Sequence, residues 1–281
     1  RWGRGGFAGH RHSDRCRTGG VLMTATTPPP LAADLTAGLR RLKLATIREV
    51  APELLLTAKT QRWAPEEVLR ALVEREIAAR DASNQRARLK AAGFPVVKTI
   101  EEFECSRLEH ISEAQIRELS SCDFVANKQN VVMIGNPGTG KTHLSIALGM
   151  RACMLGMNVR FYTAANLSNE LIEALDNRRL LKLERQIAGC DLLIIDEMSY
   201  LTFNRHQSEL LFKVIADRSE RKSIIVSTNL AFSEWLTMFE NQTMVAAMID
   251  RLTYRSFVLN MNSEHPYRAE HTAKSNEPFK L

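Results

Sequence analysis

The residues with the clearest chemical potential lie between Gly135 and Thr142, in the run GNPGTGKT. This run satisfies the pattern G-x-x-x-x-G-K-[ST], in which a glycine-rich backbone turns its N–H groups toward phosphate oxygens. Lys141 can reach the β- and γ-phosphates, and the Thr142 hydroxyl is a ligand for Mg²⁺. The run predicts a site for ATP and Mg²⁺; the alternative is a glycine-rich turn without a ligand. The predicted nucleotide-binding residues are Gly135, Asn136, Pro137, Gly138, Thr139, Gly140, Lys141, Thr142 and His143.

Two carboxylates and one amide follow later apolar runs of the chain. Asp196 and Glu197 end the run LLIIDE, which has the form of a Walker B element. We assign Thr142 to Mg²⁺ as a ligand, Asp196 to Mg²⁺ through a water, and Glu197 to the orientation or deprotonation of the water that attacks the γ-phosphate. Asn229 follows the run IIVST and can bind the γ-phosphate or that water, the role called sensor 1. The alternatives are two exposed acids at a strand end and an asparagine that caps a turn.

One arginine beyond the sensor is a candidate for action between subunits. Arg251 follows MVAAMID, which has helical spacing, and it can reach the nucleotide of a neighbouring subunit as an arginine finger. Arg255 is close enough in sequence to share that task. The alternative is an intrachain salt bridge with Asp250 or Glu240. We therefore predict Lys141, Glu197, Asn229 and Arg251 as catalytic residues and a homo-oligomer as the active form.

The elements that must position these residues alternate between strands and helices. The run NVVMI precedes the phosphate loop, THLSIALGMRACMLG follows it as a helix, and further strand–helix pairs continue to KSIIVST. Continuous apolar strands alternating with helices predict a parallel sheet with helices on both faces. The fold class is therefore α/β, a P-loop NTPase preceded by a small all-helical domain.

The chain before this sheet is helical and basic. We predict a helix over DLTAGLRRLKLATIREV with Asp34 as its N-cap, a short helix from PELLL, and a long helix ended by Gly93. Residues 1–104 hold 18 basic and 12 acidic residues, which accounts for the whole net charge of +6. The basic faces can contact DNA phosphates, and the alternative is a solvated helix surface.

Four segments follow from these patterns. We predict a disordered basic and proline-rich arm at 1–30 and a helical DNA-engaging module with linker at 31–104. An ATPase domain at 105–268 and a flexible tail at 269–281 complete the chain. Met23 is a possible natural start, and an arginine–glycine arm that contacts nucleic acid is the other interpretation of residues 1–22.

The composition indicates a cytoplasmic protein and argues against a membrane span. Five cysteines are scattered without a C-x-x-C pair, which favours reduced thiols over disulfides or a zinc site. No apolar run approaches the roughly 20 residues that a membrane helix requires.

Together the runs GNPGTGKTHL, LLIIDEMSYL, STNLAFSEW and DRLTYRS resemble those of the AAA+ family, and more narrowly the IstB helper ATPases of bacterial insertion sequences. The resemblance covers about residues 31–268. FSEW after sensor 1 and YL after the Asp-Glu pair are the features that favour the IstB group over AAA+ proteins in general. It implies an ATPase that engages duplex DNA through its N-terminal helices, assembles there with ATP, and serves a partner transposase. DnaC-type helicase loaders share much of the pattern, so a partner replicative helicase is the alternative.

Two further expectations belong to this comparison. We expect no separate helical lid after HPYRAEHTAK, which leaves Arg268 as the stand-in for the sensor 2 arginine of AAA+ proteins. The stretch NSEHPYR also departs from the shorter SYR ending expected in the family. From different classes, the chain could be a nucleotide-gated DNA-binding scaffold with little turnover, or a small-molecule kinase that transfers phosphate to an acceptor.

Overall fold

A computed structural model describes residues 28–105, 108, 110–198, 203–239 and 241–263. The chain divides into two compact units, Arg1–Ala79 and Arg80–Leu281, so the division falls inside the longest helix. Most of the predicted arm, the tail at 269–281 and Arg268 lie outside the described residues. The segment bounds drawn from the sequence stay predictions.

The smaller unit is helical, with its first break in a different place from the predicted one. Helix α1 covers Ala33–Arg41, α2 covers Ala45–Gln61, and α3 covers Pro65–Ala92. The single helix expected across these first segments was wrong, because Lys43 adopts a left-handed φ of 57° between α1 and α2. Pro52 lies inside α2 instead of starting a new helix.

The starts of α1 and α2 differ in whether a side chain accepts a hydrogen bond from the first turn. The backbone N–H of Ile47 donates to Glu76 Oε2 at 3.0 Å, so a buried carboxylate on α3 serves the beginning of α2. The N-cap of α1 is Ala32, without a side-chain hydrogen bond. Asp34 as N-cap was therefore wrong; Asp34 lies in the first turn, where its charge still favours the helix dipole.

A parallel sheet forms the centre of the larger unit. Its described strands lie in the order β2-β3-β4-β1-β5, and every neighbouring pair is parallel. The strands are β1 Asn130–Ile134, β2 Val159–Thr163, β3 Leu192–Asp196, β4 Ser223–Thr228 and β5 Ser256–Asn260. Strands β1, β3 and β4 lie inside the sheet and are almost wholly buried, as their continuous apolar sequences require.

Helices cover both faces of this sheet and confirm the predicted fold class. Successive strand residues point to opposite faces, so Val131 and Met133 join one core while Val132 joins the other. Helices α4 to α6 contribute to the first core, and α7 to α10 to the second. These helices are α4 Glu113–Ser120, α5 Asp123–Ala126, α6 Lys141–Met154, α7 Ala164–Asp176, α8 Leu180–Gly189, α9 Arg205–Arg218 and α10 Gln242–Thr253.

A buried arginine ties the last turn of α9 to the sheet. Arg218 is 1% exposed, and its two terminal nitrogens donate to four carbonyl oxygens. Burial lowers the pKa of this guanidinium from its ordinary value. The four acceptors are the carbonyls of Ile187, Cys190, Asp191 and Ser223.

Two further findings concern the classes of protein considered from the sequence. Among the described helices, none is long and apolar enough to cross a membrane. The cysteines within the described ranges are all free thiols, at Cys105, Cys122, Cys153 and Cys190. Burial raises the pKa of both Cys122 and Cys153 to about 11, which is the behaviour of inert core thiols.

Candidate nucleotide-binding site

The phosphate loop connects β1 to α6 with the geometry that its sequence predicts. Gly140 forms the N-cap of α6 with φ of 91°, a backbone conformation that residues with a Cβ rarely adopt. The Lys141 side chain turns back over the loop, and its Nζ donates to the carbonyls of Gly135 and Asn136 at 2.6 and 2.7 Å. The amino group is therefore held beside the N-terminus of α6, where an anion is favoured.

The first glycine of the loop is packed against the chain that follows β5. A Cβ on Gly135 would lie 2.6 Å from the carbonyl carbon of Met261 and 2.9 Å from the nitrogen of Asn262. Two hydrogen bonds close this contact: Met261 N–H donates to the Ile134 carbonyl at 2.7 Å, and Asn136 N–H donates to Asn262 Oδ1 at 3.0 Å. The segment after β5 thus fixes the position of the phosphate loop.

The two carboxylates predicted at the end of β3 have different environments. Asp196 is 2% exposed, whereas Glu197 is exposed and adopts a left-handed φ of 57°. Ser227 on β4 contacts both residues: its hydroxyl donates to Asp196 Oδ1 and accepts the Glu197 N–H at 3.0 Å. Sequence reasoning missed Ser227, because a serine in an apolar strand shows its role only when its neighbouring strand is known.

One cavity of about 650 Å³ collects most of the predicted residues. Strand order explains this, because β1, β4 and β3 are neighbours and their carboxyl ends meet at one edge of the sheet. Gly135, Asn136 and Asp196 do not line the cavity. Asp196 is connected to it by the hydrogen bond from Ser227, which does line it. The predicted residues that line the cavity are Pro137, Gly138, Thr139, Gly140, Lys141, Thr142, His143, Glu197 and Asn229.

The segment after α3 lines the same cavity, which the sequence had marked only as a linker. Val96, Val97 and Phe103 supply apolar surface beside the phosphate loop. The Phe103 ring lies 5.6 Å from the His143 ring, centroid to centroid. His143 Nε2 donates to the Thr99 carbonyl at 2.9 Å, since a carbonyl can only accept, and this bond fastens the segment to α6.

Arg251 does not line the cavity of its own chain. It lies on α10, where Nη1 donates to the Ala247 carbonyl at 2.9 Å and the guanidinium stands 5.1 Å from the centre of the Phe212 ring. Within the described residues no ion pair joins Arg251 to Asp250, and Glu240 lies outside them. Arg255 is exposed and lies two residues after the end of α10.

The donors in the cavity fit Mg²⁺ as the metal. The described residues contain no cluster of three or more His, Cys, Asp or Glu side chains that could form a closed metal site. Mg²⁺ does not require such a cluster, because it keeps several waters and takes one or two protein oxygens together with substrate phosphates. The Thr142 hydroxyl on the cavity wall could supply one such oxygen, and the Asp196 carboxylate, which is connected to the cavity through Ser227, could bind a water of the Mg²⁺ shell.

Comparison with known protein sequences finds similarity to ATP-binding proteins of bacterial insertion sequences. The family model for the IstB-like ATP binding protein matches residues 37–275. A Pseudomonas aeruginosa protein, named as an ATP-binding protein of insertion sequence IS21, is 34% identical over 242 residues, covering 86% of this chain and 91% of the relative. A Geobacillus stearothermophilus protein, named in the same way for insertion sequence IS5376, is 35% identical over 224 residues and covers 80% and 89%.

Solved structures support the fold. The AMPPCP-bound DnaA protein of Aquifex aeolicus aligns with a TM-score of 0.53 at 18% identity, over 67% of this chain and 57% of that one. A DNA replication initiation factor aligns with a TM-score of 0.52 at 19% identity, over 65% and 55%. These similarities concern the architecture of the sheet and its helices.

Proposed function

This chain belongs to the family of IstB-like ATP-binding proteins, and from that membership we propose that it is an ATP-hydrolysing helper of transposition. In this proposal it assembles on duplex DNA with ATP, assists a partner transposase, and is reset by hydrolysis. The observation that carries the proposal is the single cavity in which the phosphate loop, Glu197 and Asn229 meet. The names of the two bacterial relatives, both of insertion sequences, support the same activity.

ATP binding is supported by the phosphate loop and the apolar surface that line this cavity. The triphosphate lies on the backbone N–H groups of the phosphate loop, and Lys141 exchanges its two carbonyl partners for phosphate oxygens. The base lies toward Val96, Val97 and Phe103, the apolar part of the lining. Mg²⁺, held by Thr142 and Asp196, would neutralise charge on the β- and γ-phosphates.

Hydrolysis is assigned to the groups at the strand ends. Glu197 is exposed to the cavity and orients or deprotonates the attacking water, while Asn229 holds that water or the γ-phosphate. Arg251 stands outside its own cavity, which supports a role in the site of a neighbouring subunit. The active form is therefore a homo-oligomer with ATP between subunits.

DNA engagement is assigned to the smaller, helical unit. Arg40, Arg41 and Lys43 lie together around the end of α1, and all three are exposed. Exposed basic side chains grouped in this way bind phosphates with a strength that falls as salt rises. The γ-phosphate then controls assembly, because ATP stabilises the DNA-bound state and hydrolysis releases it.

The test combines duplex DNA, ATP and the Lys141→Ala variant. Wild-type protein should form large complexes on duplex DNA with ATP but not with ADP, as measured by sedimentation, and should release phosphate. Lys141→Ala should lose nucleotide-dependent assembly while its unfolding midpoint stays close to that of the wild type. Co-purification with the transposase of the same insertion sequence, compared with a replicative helicase, identifies the partner. Assembly that ignores nucleotide would refute the switch.

A further inference from the structure

Ser227 on β4 makes hydrogen bonds, through its side chain and its backbone, to three consecutive residues at the end of the neighbouring strand β3. Its hydroxyl donates to Asp196 Oδ1 and accepts the Glu197 N–H at 3.0 Å. Its carbonyl accepts the Met198 N–H at 2.9 Å. The residue is 1% exposed and lies at the wall of the cavity, next to Glu197. A serine hydroxyl offers one donor and two acceptor sites, and here the donor and one acceptor are used on the two carboxylate-bearing residues.

The strand register explains why a hydroxyl is needed at this position. The β3–β4 ladder ends at the pair Ile195 and Val226, which makes Asp196 and Ser227 the next residues in register. There the chain leaves the strand, because Glu197 has a left-handed φ of 57° that a residue with a Cβ rarely adopts. The Ser227 hydroxyl replaces the missing backbone partner of Glu197 and so holds the chain in this turn.

The same bond defines the direction of the Asp196 carboxylate. Because Oδ1 accepts the Ser227 hydroxyl, the carboxylate is held in one orientation, and its other lone pairs can accept from a water of the Mg²⁺ hydration shell. A group that hydrogen-bonds to a metal-binding carboxylate commonly changes metal affinity or activity about 10- to 100-fold when it is removed. One side chain thus orders the carboxylate assigned to the metal and the turn that carries the carboxylate assigned to water.

We propose that Ser227 is a positioning residue of this ATPase site, which aims Asp196 at Mg²⁺ and fixes the turn that presents Glu197 to the attacking water. This inference rests on the proposed function, since it assigns a further residue to the same site. It differs from a purely structural role, in which the hydroxyl would satisfy buried polar groups and its removal would lower only stability.

Ser223 provides a matched control on the same strand. It is fully buried, and its hydroxyl donates to the Phe124 carbonyl at 3.2 Å, away from the cavity. Ser223→Ala therefore removes a buried hydroxyl from β4 without a contact to Asp196 or Glu197. Ser227→Thr keeps a hydroxyl at the site itself and serves as the conservative variant.

The experiment uses the full chain and measures mant-ATP binding during a Mg²⁺ titration, together with kcat and KM for phosphate release and thermal unfolding. Ser227→Ala should bind mant-ATP without Mg²⁺ like the wild type, but require about tenfold more Mg²⁺ for the metal-dependent gain. Its kcat should fall about 10- to 100-fold, with KM changed much less. Ser223→Ala should keep both properties, and Ser227→Thr should recover them. Ser227→Cys, whose thiol bonds weakly, replaces the alanine variant if that variant does not fold.

The outcomes separate the two proposals. If Ser227→Ala matches Ser223→Ala in Mg²⁺ requirement and kcat, the positioning role is overturned while the ATPase assignment stands. If the wild type binds mant-ATP with Mg²⁺ but releases no phosphate, hydrolysis is refuted, and the Mg²⁺ titration alone decides the role of Ser227. If the wild type binds no mant-ATP, both proposals fall.

Discussion

Replacing Arg251 with alanine tests whether the site is shared between subunits. Among the described residues, Arg251 donates a hydrogen bond to its own helix and contacts the Phe212 ring at 5.1 Å, and it is half-buried. Losing this cation–π contact costs about 0.5–1 kcal/mol of stability at such a position. Loss of an arginine finger costs about 10³-fold or more in kcat, equivalent to about 4 kcal/mol of barrier. The effect on catalysis should therefore far exceed the effect on unfolding.

A mixing assay distinguishes action in a neighbouring subunit from action within the chain. Arg251→Ala keeps its phosphate loop and Glu197, and Glu197→Gln keeps its arginine and its ability to assemble, so each alone should release phosphate very slowly on duplex DNA. In a random equal mixture, a site works only when an Arg251→Ala subunit receives the arginine of a Glu197→Gln neighbour. About one quarter of the sites then satisfy both conditions, so activity should rise to about one quarter of the wild-type rate.

The control is Arg205→Ala, which removes an arginine whose side chain is 83% exposed and pairs with Glu209 on the surface of α9. This variant should keep the wild-type rate. Phosphate release by the mixture no greater than the sum of its parts would refute action between subunits. A wild-type rate in Arg251→Ala alone would remove the residue from the mechanism altogether.

Two other predictions concern single residues of the larger unit. Glu197→Gln should bind ATP and assemble on DNA. Its rate of phosphate release should fall by about 10²-fold or more, because the amide is a poor base; an unchanged rate contradicts the assignment. Arg218→Met should lower the free energy of unfolding by about 3 kcal/mol or more in a urea titration, because three buried carbonyls and one half-buried carbonyl lose their donor. A loss below about 1 kcal/mol, similar to that of Arg205→Met, would show that these carbonyls find other partners.

The sequence predicted the parts of the site that depend on local pattern. The phosphate loop requires glycines and a lysine at fixed spacing, and the apolar runs before Asp196 and Asn229 form the buried strands β3 and β4. Since parallel strands present their carboxyl ends at one edge, the meeting of these residues also followed from pattern. The predicted α/β class was confirmed for the same reason.

The contributions that the sequence did not indicate depend on pairing between distant segments. Ser227 lies beside Asp196 only because β3 and β4 are neighbours, and Phe103 reaches His143 only because the segment after α3 returns over the phosphate loop. Helix α8 was also missed, since its ten residues between two stronger patterns carry no distinct start signal and its N-cap, Arg179, makes no side-chain bond. Propensity alone cannot supply such tertiary information.

The contact of Gly135 with Met261 gives a structural reason for the first glycine of the phosphate-binding pattern. A methyl group there would meet backbone atoms at 2.6 Å, whether or not a nucleotide is bound. The requirement for glycine at this position thus comes from the closure of β5 beside β1, and it is independent of the ligand. A descendant of this chain that lost Lys141 and all affinity for ATP would still need glycine here. A glycine at this position in a relative therefore indicates that the fold is kept, whereas the lysine indicates that nucleotide binding is kept.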